Sequence, residues 1–88
     1  SIKPAAEPSL ALAAAMNVKQ PGNLESLELA AKALAEEPNY VLDSWQKEQL
    51  WGPRLRSAAA QLLTEPVLKA DVERAQANAG GHDDLGDE

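Results

Sequence analysis

Alanine supplies 17 of the 39 hydrophobic residues in this 88-residue chain, and that proportion restricts the fold more than any motif does. Alanine is the best helix former and adds little area to a core. Only 22 larger apolar side chains remain, and two of them, Ile2 and Leu85, stand near the ends. Val and Ile total five, Phe is absent, and no segment alternates apolar and polar residues as a half-buried strand does. The chain therefore reads as all-α, with a thin core closed by near approach of Ala-rich helices. A chain of this size buries roughly 60–65% of its unfolded surface, so a few large side chains carry much of its stability.

Proline and glycine divide the sequence into segments. "SIKPAAEP" (1–8) reads as an irregular lead-in with two prolines. Ser9 is a capping residue type, which predicts a first helix over about 10–18. In "KQPGN" (19–23), Pro21 presets φ, Gly22 accepts a positive φ, and Asn23 caps the helix that follows. That second helix, over about 24–37, carries Leu24, Leu27, Ala30, Ala31, Leu34 and Ala35 as one stripe. Leu29 falls off the stripe, as a lone exposed residue or a second contact.

Pro38 ends the second helix. A third element starts at Asn39 or Asp43, both capping types, and is stopped by "WGP" (51–53). Pro53 suits the first turn of a fourth helix, to about residue 64, with Leu55, Ala58, Ala59 and Leu62 as its stripe. Thr64 is the expected cap of a fifth helix with Glu65 and Pro66 in its first turn. Its stripe is Leu68, Val72, Ala75 and Ala79, and Gly80-Gly81 stops it. The expected architecture is a small all-α bundle of four to five short helices with short loops and disordered termini. Residues 9–79 would form one helical domain, between the lead-in and a flexible acidic tail at 80–88.

The net charge of −6 is uneven: "HDDLGDE" (82–88) carries −4 and the preceding 81 residues −2. There is no Cys, hence no disulfide framework and no thiolate metal site. No apolar run approaches the roughly 18 residues of a membrane span. "LALAAAMNV" (10–18) has the look of a secretion-signal core, but only Lys3 precedes it and no cleavage site follows. A packed helix and a cytoplasmic location are the expectation.

Two stretches resemble known families. "LELAAKALAEEPNY" (27–40) resembles the second helix and exit turn of a tetratricopeptide repeat. The corresponding prolines, Pro38 and Pro66, are 28 apart rather than the 34 of that repeat, so helix–turn–helix packing is expected rather than a repeat. "QLWGPRLR" (49–56) resembles the Trp-x-Pro-Arg-Met-Arg stretch of the small accessory subunits of NAD-dependent formate dehydrogenases. It covers eight residues, and it implies an accessory, non-catalytic role in a redox enzyme.

Catalytic constellations are sparse. His82 beside Asp83 and Asp84 follows Gly-Gly, so nothing fixes those groups as a metal site needs. Ser44 and Lys47 fit Ser-x-x-Lys without its companion motifs, and Ser44 reads better as a first-turn helix residue. Glu36-Glu37 sits at a polar helix end, whereas general acid–base work needs a carboxyl desolvated against apolar walls. There is no Gly-rich phosphate loop. The chain is not expected to be an enzyme or to hold a cofactor.

The stretch "DSWQKEQLWGPRLR" (43–56) holds both tryptophans. On one continuous helix they would lie about 120° apart, with Trp45 beside Val41 and Leu42, and Trp51 beside Tyr40 and Leu50. In one reading both indoles are core anchors. In the other, Trp45 is the anchor and Trp51, at a helix end next to Arg54, faces a partner, because Trp and Arg are enriched in the energetic centres of interfaces. The second reading makes Tyr40, Leu50, Trp51, Arg54 and Arg56 the candidate partner-binding residues.

The function expected is therefore a non-catalytic protein–protein interaction or structural module, a small subunit or adaptor within a larger assembly. Its partner would be another protein or a second copy, with no membrane and no small-molecule substrate. One alternative is a regulator contacting nucleic acid or a nucleic-acid enzyme. It would use the acidic tail as a phosphate mimic, or Arg54 and Arg56 as phosphate contacts. Nucleic acid is not the expected partner, since residues 44–74 sum to only +1. The other alternative is the accessory redox subunit.

Overall fold

A computed structural model of the chain describes residues 6–79, and side chains from Ser9 onward. Most of the expected lead-in, the acidic tail and its His82, Asp83 and Asp84 lie outside the described residues. The helices are α1 (Ala6–Lys19), α2 (Leu24–Glu36), α3 (Asp43–Glu48), α4 (Pro53–Leu62) and α5 (Lys69–Asn78), with 3-10 turns at Pro38–Val41 and Pro66–Leu68. Among the described residues there is no strand. The described residues form an all-α bundle of five short helices, and no helix among them is long and apolar enough to cross a membrane.

α1 begins ahead of its expected start, at Ala6, and takes Pro8 into its first turn. The first four N–H groups of a helix have no intrahelical acceptor, so a proline there forfeits nothing. Ser9 is consequently a helical residue, not a cap. The turn that follows is built as its residues dictate. Gly22 takes φ 79°, and its N–H donates to Asn17 Oδ1 at 2.8 Å. Asn23 caps α2 by accepting from Ser26 N–H at 3.0 Å, while Ser26 Oγ donates back to the Asn23 carbonyl at 2.7 Å. These bonds satisfy the buried Ser26 hydroxyl and Asn17 Oδ1, while Asn17 Nδ2 is buried with no hydrogen-bond partner among the described residues.

α1 packs against α2 on one side and α4 on another, and α5 lies along α2 and the Pro38–Val41 turn. Glu65, just past α4, lies beside the α1–α2 turn: a Cβ on Gly22 would be 3.8 Å from its Oε1. α1 and α4 therefore run in the same direction and α2 runs against them. The Pro38–Val41 turn and α3 form a corner at the opposite end. Six of the thirteen buried hydrophobic residues are Ala, which lets the helix axes approach closely. Leu10, Leu27, Leu34, Leu62 and Leu68 fill the space between them.

Two expected details are corrected. The buried face of α2 is Ser26, Leu27, Ala30, Ala33 and Leu34, with Leu24 and Ala35 exposed and Leu29 half-buried against the core. That face is turned roughly 80° from the expected stripe, at about 100° per residue. α2 contacts α1 and α5 together, so its buried arc is set by two neighbours rather than by the largest side chains. Thr64 does not cap α5. Its Oγ1 donates to the Gln61 carbonyl at 2.7 Å, closing the end of α4. Pro66 holds Glu65 extended and starts a 3-10 turn instead.

Candidate interaction site

The five residues singled out in the sequence all belong to the corner where the Pro38–Val41 turn, α3 and α4 meet, but they divide between its inside and its outside. Tyr40 and Trp51 are inside. Trp51 is 6% exposed and Tyr40 5%. Their rings stack with centroids 5.4 Å apart and planes 28° apart. Trp45 meets the other side of the cluster, edge-on to Tyr40 at 6.1 Å and 88°, and is half-buried against the core. The expectation that Trp51 faces a partner while Trp45 anchors the core is thus overturned. Trp51 is the more deeply buried of the two indoles.

The reason is the end of α3. The helix stops at Glu48, before Trp51, so the two tryptophans do not share a helix and the 120° separation does not apply. Trp51 N–H donates to the Gln46 carbonyl at 3.0 Å and Leu50 N–H to the Lys47 carbonyl at 2.9 Å. These are the paired bonds of a Schellman C-cap. The motif requires a left-handed residue between them, and that residue is Leu50, at φ 69°. Reversing the chain there swings Trp51 back onto Tyr40. It also throws the Leu50 side chain outward, where it is 90% exposed.

Gln46 is the residue that sequence reasoning missed. It is buried and its Nε2 donates to the Tyr40 carbonyl at 2.7 Å, tying α3 to the Pro38–Val41 turn. A glutamine between Trp45 and Lys47 in a short helix carries no local sign of that bond. Trp45 Nε1 is buried with no hydrogen-bond partner among the described residues, so the indole is held by packing alone.

The two arginines also part company. Arg56 Nη1 donates to the Trp51 carbonyl at 2.9 Å, and its Nε pairs with Asp43 Oδ1 at 3.2 Å. It clamps the start of α3 and the loop after it onto α4, so it is committed to the fold. Arg54, one residue into α4, is exposed. What remains on the outside of the corner is Leu50, with exposed Lys47 and Arg54 to either side in sequence. Gly52 is open to solvent, with nothing within 4 Å of where its Cβ would be.

Elsewhere, Ser44 and Lys47 are both exposed on α3, with no apolar walls to tune either group. Among the described residues no three His, Cys, Asp or Glu side chains come together as a metal site. A pit of about 100 Å³ between α2 and α5 is lined by Ala31, Leu34, Pro38 and Ala75, with the Asp71–Arg74 pair at its rim. Compared with models of protein families, with curated proteins and with solved structures, the chain matches none.

Proposed function

We propose that this chain is a non-catalytic protein-interaction module, a small subunit or adaptor in a larger cytoplasmic assembly, and that Leu50 with Arg54 forms its contact. The observation that carries this reading is the state of Leu50. A leucine at positive φ costs about 1–2 kcal/mol relative to an unstrained residue, and glycine is the usual occupant of this capping position. The Leu50 side chain offsets none of this cost by contacts of its own, being 90% exposed. An apolar side chain held in solvent at a conformational cost is a feature that a partner would use.

The surroundings favour a partner of opposite charge. Residues 43–56 carry a net +1 within a chain of −6, and Lys47 and Arg54 are exposed on either side of Leu50 in sequence. The complementary surface is an apolar pocket for one leucine side chain with carboxylates at its rim. Leu50→Gly separates this reading from a purely structural one. The substitution is expected to raise the melting temperature while shrinking the native mass at which the untagged protein elutes from its cell extract. A variant that melts higher and keeps the wild-type assembly mass would sink the reading. Arg54→Glu is expected to weaken the same assembly without altering the melt.

A further inference from the structure

We infer that the outer face of α1 is a two-fold contact between two copies of this chain. α1 buries Leu10, Ala13, Ala14 and Asn17 against α2 and α4. Its other sides are apolar too. Leu12 is 53% exposed, Val18 50%, and Ala15 is exposed between them. A helix that is hydrophobic all round is ordinarily covered on every side, yet among the described residues α1 is covered only where α2 and α4 pack on it.

The occupant follows from charge. From Ser9 to Val18 there is no ionisable side chain, whereas the exposed faces of α2, α3, α4 and α5 all carry charged residues. A two-fold contact sets each surface against itself, and like charges brought together across an interface are repelled. For a chain of net −6, the apolar α1 face lets two copies meet without opposing like charges. A different, charged partner would find nothing on this face to pair with. Two antiparallel α1 helices would cross near Ala15, small enough for close approach, with Leu12 and Val18 of each copy packing on the other. This contact is separate from the Leu50 corner, at the far end of α2, and does not depend on it.

Sedimentation equilibrium of the full chain, between about 10 μM and 1 mM, reads the association. The expected result is a reversible approach to twice the 9.4 kDa chain mass. Association should strengthen from about 0.05 to 0.5 M NaCl, as salt screens the repulsion between two acidic chains. Leu12→Glu and Ala15→Glu would each set like charges across the axis and raise the dissociation constant about 100-fold or more. Thermal melts of both variants check that the monomer fold is kept, and Leu50→Gly should leave the dimer intact. A chain that stays monomeric at 1 mM in both salts overturns the inference, as does a dimer that the two α1 variants leave unchanged.

Discussion

The ring of Trp51 lies stacked on that of Tyr40, 5.4 Å away, while the neighbouring indole of Trp45 meets Tyr40 only by its edge. This stack is the largest apolar unit of a core otherwise made of Leu and Ala. Trp51→Ala is expected to cost about 3–5 kcal/mol, the usual range for truncating a buried aromatic. Small single-core domains hold only roughly 3–5 kcal/mol in total, so the variant should be largely unfolded in buffer by far-UV circular dichroism.

Trp45 should respond differently. Its indole N–H is buried without a partner among the described residues, so replacing it by a ring of similar shape removes a desolvated donor. Trp45→Phe is expected to cost under about 1 kcal/mol in urea unfolding, because the lost area is offset by relief of an unsatisfied N–H. A loss as large as that of Trp51→Ala would mean that the indole nitrogen has a partner.

The two positive-φ positions among the described residues, Gly22 at 79° and Leu50 at 69°, make a matched pair of opposite sign. Gly22→Ala would meet only an ordinary contact at 3.8 Å, so its cost is conformational, about 1 kcal/mol. Leu50→Gly removes strain and is expected to gain about 0.5–1 kcal/mol, which is roughly 3–6 °C in the melting temperature. Calorimetry on both variants measures the pair.

Arg56 makes one bond to a carbonyl and one to a carboxylate, and the two can be told apart by salt. Arg56→Ala is expected to cost about 1–2 kcal/mol through the lost Trp51 carbonyl bond and packing of its stem. Asp43→Ala should cost less than about 0.5 kcal/mol, and only at low ionic strength, since the Asp43 side chain is 68% exposed. Equal losses from both substitutions would place the clamp's strength in the ion pair instead.

Much of the fold is legible in the residues themselves. The Pro-Gly-Asn turn, the Asn23 cap, the stop at Pro38 and the start at Pro53 each rest on one residue's backbone geometry, and all stand where expected. The α4 stripe is half-buried or buried as its spacing requires. The corner was legible only in part. Its five residues do lie together, and Asp43 is one of the two expected starts of the third element, but carrying that helix on to Trp51 misplaced the indole. No glycine or proline marks the true end at Glu48, because the left-handed position is filled by leucine.

Local chemistry thus determined that this chain is helical and where most helices begin and end, since capping, proline geometry and alanine's helix preference act within a few residues. Only the tertiary structure decided which way each helix turns its apolar side and which tryptophan lies inside. α2 rotated its buried face toward two neighbours at once, and Trp51 was carried onto Tyr40 by a chain reversal whose strain is offset by the stack it completes. Burial is a property of what lies opposite a side chain, and that is set by all the helices together.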